Sequence, residues 1–157
     1  MPHLDLTLRL LLAAGLGAAI GIERESRQKP AGLRTNILIA LGSALFTMLS
    51  IQVGGAGSTP DRIAAQVVTG MGFLGGGAIL RSGHTVHGMT TAATIWVNAA
   101  VGMAVGAGQF AMAIAGTAIT LVVLALLPPL ESYFARRAAI FMRRSTDREP
   151  PPPSIIT

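Results

Sequence analysis

No cysteine occurs among the 157 residues, so disulfides, thiolate metal sites and cysteine nucleophiles are all excluded, and the redox compartment is left open. Charge is sparse, at 12% of residues, and no Asp or Glu falls between Asp61 and Glu131. That stretch cannot supply a carboxylate dyad, and nothing elsewhere pairs a nucleophile with a base, so an enzyme is not expected. Aromatic residues make up 4%, with a single tryptophan, Trp96. So few charges and aromatics leave little from which to build a soluble domain.

What is abundant is apolar sequence, with a mean hydropathy of +0.59. Ile63–Leu80, an 18-residue run, carries no charge and five glycines. At 1.5 Å per residue its length approaches the roughly 30 Å hydrocarbon core of a bilayer. A soluble core helix would lose about 1 kcal/mol for each glycine relative to alanine, whereas small residues in a membrane let helices approach closely. Further runs cover Leu6–Ile22, Ile37–Val53, Met89–Val105 and Phe110–Leu127. The expectation is an all-α integral membrane protein, a compact bundle of about five transmembrane helices. The first run has a weak n-region and no clean cleavage site, so it reads as a retained span rather than a signal peptide.

The net charge of +5 would suit nucleic acid, but the charges lie beside apolar segments, where lipid headgroups and topology account for them. Arg24, Arg27, Lys29 and Arg34 follow the first span, Arg81 follows the third, and five arginines lie in the tail. Ten of the twelve Lys and Arg thus share one side of a five-span chain, leaving Arg9 and Arg62 opposite. The positive-inside rule then predicts an N-terminus outside and a C-terminus in the cytoplasm. Arg9, near an outer helix end, is expected to snorkel.

Residues 1–130 read as the membrane domain and 131–157 as a cytoplasmic segment. From Ser132 to Arg144 arginine pairs alternate with aromatic and aliphatic residues, the pattern of an interfacial amphipathic helix. The proline-rich end beyond it is expected to be disordered or extended.

Gly70-Met-Gly72-Phe-Leu-Gly75 matches the dinucleotide-binding pattern letter for letter, but no strand precedes it and no acid follows to hold a ribose. Two other readings stand for these glycines together with Gly76 and Gly77. One is close helix packing, with Gly72 and Gly76 facing Gly17 and Gly21 of the first span. The other is a broken helix whose freed backbone lines a pathway. Glu23, Arg24, Glu25, Arg34 and Thr35 form a candidate cluster at the cytoplasmic helix ends, either a clamp or a gate. Gln66, Thr90, Thr91, Thr94 and Asn98 are candidate intramembrane polar residues, able to hydrogen-bond between helices. His84 and His87, without a nearby carboxylate, make a poor metal site.

Five segments taken together resemble the MgtC/SapB family of small bacterial inner-membrane proteins. They are Gly17-Ala-Ala-Ile-Gly21-Ile-Glu23-Arg24-Glu25, Ala31-Gly32-Leu33-Arg34-Thr35-Asn36, Arg62-Ile-Ala-Ala-Gln66, Gly70-Met-Gly72-Phe-Leu-Gly75-Gly76-Gly77 and Gly88-Met-Thr90-Thr91-Ala-Ala-Thr94-Ile-Trp96. The resemblance implies a multi-pass bacterial inner-membrane protein of magnesium and membrane-energy homeostasis under stress. It implies either direct Mg²⁺ transport, as an oligomer, or regulation of a membrane partner such as the ATP synthase or an ion-transporting ATPase. Mg²⁺ is then substrate or signal, and no other cofactor is expected. Mg²⁺ is normally held through carboxylates and its own waters, and no span carries an acid. Regulation through helix contacts is therefore favoured, with Glu23 the nearest candidate ligand.

Overall fold

The computed structural model describes residues 3–54, 62–83 and 85–146, with side chains described for 4–54, 62–83 and 85–129. Their elements are α1 (His3–Ser26), α2 (Leu33–Val53), α3 (Arg62–Gly77), β1 (Leu80–Ser82), β2 (Thr85–His87), α4 (Met89–Gly106) and α5 (Phe110–Thr146). Four of these helices are long and apolar enough to cross a membrane, over Leu4–Ser26, Leu33–Val53, Met89–Gly106 and Phe110–Pro129. The chain is a multi-pass membrane protein by this measure. The described residues divide into two compact units, Met1–Val122 and Val123–Thr157, so that α5 begins in the first and continues in the second.

In the first unit α1, α2 and α4 form the centre. At their closest approaches backbone meets backbone, because glycines lie there. A Cβ on Gly17 would come within 2.7 Å of the Asn36 carbonyl oxygen and 2.8 Å of Ala40 Cβ; one on Gly21 would come within 2.7 Å of Leu33 Cα. On α4, a Cβ on Gly106 would lie 2.6 Å from the Ala44 carbonyl oxygen, and Gly102 abuts Ala40 in the same way. One apolar core gathers Ala13, Ala44, Met48, Val101, Val105 and Ala113. The other joins Ile39, Ile95 and Ala99, with Met71 and Ala78 against it.

Helix α3 lies outside this centre and runs antiparallel to α2. Its first turn meets the far end of α2, where the Ala64 amide donates to Ser50 Oγ at 3.3 Å. Its last turn meets the start of α4, where Gly75 rests on Ala92. The helix spans 16 residues, about 24 Å, which is shorter than the run Ile63–Leu80 suggests. Three consecutive glycines close it: Ala78 and Ile79 donate back to Leu74, Gly75 and Gly76, and Leu80 already belongs to a strand.

The connection to α4 is a short hairpin, pairing Leu80 with His87, Arg81 with Val86 and Ser82 with Thr85. It ends at Gly88, whose φ of 89° is left-handed and whose Cβ, if present, would strike the Ala78 carbonyl. That position requires glycine on both counts. His84 and the proline-rich tail lie outside the described residues, as do the side chains of the Ser132–Arg144 segment, whose backbone is helical.

Candidate functional site

The end of the bundle where α1 hands over to α2 carries the densest polar network. Glu23 Oε2 accepts from Arg24 Nε at 2.7 Å, and Arg27 Nε lies 2.7 Å from Oε1 as an ion pair. Arg24 is buried, with a side-chain exposure of 3%, and Glu23 is nearly so. A guanidinium there needs its carboxylate, since breaking one partner of a buried pair costs roughly 3–5 kcal/mol. Both carboxylate oxygens of Glu23 therefore face arginine, and a cation at Glu23 would compete with two resident guanidiniums.

Glu25 does something else. Its Oε2 accepts the Leu33 amide at 3.0 Å, placing negative charge on the first turn of α2, where amides lack helical partners. The carboxylate occupies the space a side chain at residue 32 would fill, so Gly32 is obligatory while Glu25 holds this position. The connection contains two non-glycine left-handed residues, Gln28 (φ 53°) and Ala31 (φ 57°). Such conformations cost about 1 kcal/mol or more apiece and persist where surrounding contacts hold them. Asn36 provides that hold by donating its side-chain amide to the Ala31 carbonyl and, at 2.9 Å, to the Gly32 carbonyl.

Asn36 also links this turn to α4. Asn98 Nδ2 donates to the Asn36 backbone carbonyl at 2.7 Å and to its Oδ1 at 3.1 Å, and both asparagines are fully buried. The chain of contacts thus runs from the α1–α2 turn through Asn36 to Asn98, under Gly17 and Gly21. Thr91 and Thr94 are buried on the same face of α4. The Thr94 hydroxyl donates to the Thr90 carbonyl at 2.7 Å, within its own helix, and Thr90 is exposed.

The five residues expected to cluster divide in two. Glu23, Arg24 and Glu25 come together, whereas Arg34 and Thr35 occupy the exposed side of the first turn of α2. Arg27, Gly32 and Asn36 join the network without having been singled out. Asn36 gave a signal, as a lone amide heading an apolar helix. Among the described residues no group of three His, Asp or Glu side chains converges as metal ligands.

Most glycines of α3 behave differently from Gly17 and Gly21 of α1. A Cβ at Gly70, Gly72, Gly76 or Gly77 would meet nothing within 4 Å, and only Gly75 of the set contacts another helix. Gly72 and Gly76 thus do not face Gly17 and Gly21, which are already occupied by α2. Gln66 is exposed on α3, as is Phe73 at 83%.

Arg9 does not snorkel freely. It pairs with Asp5 at 3.1 Å, donates to the Gly106 carbonyl at 3.0 Å and lies 5.5 Å from the centre of the Phe110 ring. A cation at the C-terminus of α4 satisfies a free carbonyl and complements the helix dipole.

Comparison with known proteins places the chain in a family. The model of the MgtC family matches residues 10–133. A protein of Synechocystis sp. is 50% identical over 126 residues, which cover 80% of this chain and 53% of that one. The putative magnesium transporter YhiD of Escherichia coli K12 is 49% identical over 127 residues, 76% of this chain and 59% of the relative. Protein MgtC of Salmonella typhimurium is 52% identical over 114 residues, 73% and 48% respectively. The chain thus spans about half the length of the curated relatives it matches. No solved structure matches it. With the family model covering most of its length, the chain belongs to the MgtC family.

Proposed function

We propose that this protein is a non-enzymatic regulator of magnesium and membrane-energy homeostasis in the bacterial inner membrane. It acts through helix contacts with a membrane partner such as the ATP synthase or an ion-transporting ATPase, or with further copies of itself. The observation that carries this reading is the contrast between its two sets of glycines. Gly17 and Gly21 of α1 and Gly102 and Gly106 of α4 are consumed inside the bundle, where backbone meets backbone and leaves no width for a hydrated cation. Gly70, Gly72, Gly76 and Gly77 of α3 are unoccupied and exposed, beside Phe73 and Leu74. Small residues on an exposed membrane helix suit close approach by another helix.

The Glu23–Arg24–Arg27 cluster and the Glu25–Leu33 contact then serve as a clamp that fixes the cytoplasmic helix ends. The orientation proposed rests on charge: because α3 runs antiparallel to α2, Arg24, Arg27, Lys29, Arg34 and Arg81 lie toward one end of the first unit, which the positive-inside rule would assign to the cytoplasm. The test is Gly72→Leu, alone and with Gly76→Leu, in a bacterium relying on this protein for growth at low Mg²⁺. Loss of growth with an intact fold supports the reading; wild-type growth and wild-type complex size refute it.

A second reading, direct Mg²⁺ passage, draws on the name of the Escherichia coli relative, a putative magnesium transporter. It requires an oligomer to supply ligands, and it makes Glu23 indispensable to flux.

A further inference from the structure

We propose that the end of the first unit where α1 hands over to α2 binds a phosphate group, held by the Arg24 guanidinium at the start of α4. The site draws on one residue of the polar cluster and stands whether the protein regulates or transports. Charge is the first observation. Between Glu23 and Arg34 two carboxylates stand against four cations. Glu23 is shared by Arg24 and Arg27, and Glu25 is committed to the Leu33 amide. Lys29 and Arg34 are exposed to solvent, whereas Arg24 is buried and has only a share of one counter-charge. A buried cation left short of negative charge is costly, and an anion relieves it.

The fork itself is the second observation. Arg24 gives its Nε to Glu23 at 2.7 Å, and its two Nη groups hydrogen-bond to nothing among the described residues. Neither is sealed in, as Arg9 Nε and Asn98 Oδ1 are. A side chain only 3% exposed thus keeps both Nη groups as donors at its one opening. That is the part of a guanidinium which grips an oxyanion in two places.

Register brings these donors to a helix N-terminus. Helix α1 runs antiparallel to α4: Arg9 reaches Gly106, and Gly21 packs on Asn36, to which Asn98 donates. One turn past Gly21, Arg24 is therefore level with the first two turns of α4. Thr91 is buried there, and its hydroxyl also has no partner among the described residues. Helix α4 begins after Gly88, which offers no side chain as a cap, and its first turn contains no acid. The start of α2 differs, since Glu25 already places a carboxylate on it. The first amides of α4 and the positive end of its dipole are thus free to meet an anion. Guanidinium, hydroxyl and helix amides together serve more oxygens than the two of a carboxylate, which selects a phosphate. Free phosphate and a phospholipid headgroup both carry that group.

The experiment follows the thermal midpoint of the purified, delipidated chain in a neutral detergent at fixed ionic strength. One arm adds inorganic phosphate, a second short-chain phosphatidylglycerol, and a third the matching diacylglycerol, which lacks the phosphate. A saturable rise is expected, as for any ligand that binds the folded state alone. A rise with inorganic phosphate assigns the free ion; a rise with phosphatidylglycerol alone assigns a headgroup. Arg24→Lys keeps the charge beside Glu23 and loses the fork, and Thr91→Val keeps the shape and loses the hydroxyl. Each should weaken binding about tenfold. Lys29→Gln removes one exposed cation from the same turn and should change binding less than about threefold. No saturable rise in the wild-type protein with either phosphate compound overturns the proposal, and that result requires no variant to fold. An equal rise with diacylglycerol also overturns it. So does equal weakening by Lys29→Gln and Arg24→Lys, which would mean a diffuse basic surface rather than a site.

Discussion

Replacing Gly17 by alanine adds one methyl group at the closest approach of α1 and α2. The new Cβ would sit 2.7 Å from the Asn36 carbonyl oxygen and 2.8 Å from Ala40 Cβ. Ordinary contacts begin near 3.4 Å, so the helices must separate by about 0.7 Å along a seam that also holds the Asn36–Asn98 pair. Overpacking of this kind costs about 1–3 kcal/mol, and the better helix propensity of alanine returns about 1 kcal/mol. The net expectation is a loss of about 0–2 kcal/mol, larger if the asparagine pair is broken. Gly76→Ala is the internal control, because its Cβ meets nothing and only the propensity gain of up to about 1 kcal/mol remains. Unfolding of purified protein in mixed micelles, titrated with a denaturing detergent, measures both. The two variants should differ in midpoint, with Gly17→Ala the less stable. Equal midpoints, or a greater loss at Gly76, would refute the assignment of Gly17 to the interior and Gly76 to the surface.

Three further outcomes follow from the same contacts. Asn98→Ala removes both hydrogen bonds to Asn36 and should lower stability by about 0.6–1.7 kcal/mol, the range for polar contacts between membrane helices, in the same titration. Arg9→Leu deprives the Gly106 carbonyl of its donor and Asp5 of its partner; a loss of about 1–2 kcal/mol is expected, read as a lower thermal midpoint in detergent. Glu25→Gln weakens the charge at the start of α2, so hydrogen exchange at the Leu33 and Arg34 amides should accelerate while the Asn98 region stays protected.

The helices themselves were readable from apolar length, because a membrane span needs nothing else. Ile37–Val53 and Met89–Val105 agree with α2 and α4 to within a few residues. Ile63–Leu80 misled because isoleucine and leucine at 79 and 80 continue the apolar run while the backbone has left the helix. The trace of that change in the sequence is the triglycine Gly75–Gly77, which allowed a break as well as close packing, with Gly83 and Gly88 beyond it. The Glu23–Arg24 pair was visible as charge beside a span. The partner of each glycine was not, since small-residue spacing says that something approaches and not what. Gly17 therefore chose α2 rather than α3. Asn36 escaped notice for a related reason: its importance comes from two carbonyls in a left-handed turn and an asparagine 62 residues away, and only the fold brings these together.

The most direct test of a regulatory rather than a transporting role is Mg²⁺ uptake by purified protein in proteoliposomes under an imposed membrane potential, with Glu23→Gln alongside. The account predicts no uptake above empty vesicles for either protein, with the wild type folded and oriented. Saturable uptake that Glu23→Gln abolishes would contradict it and make this chain a carrier in its own right.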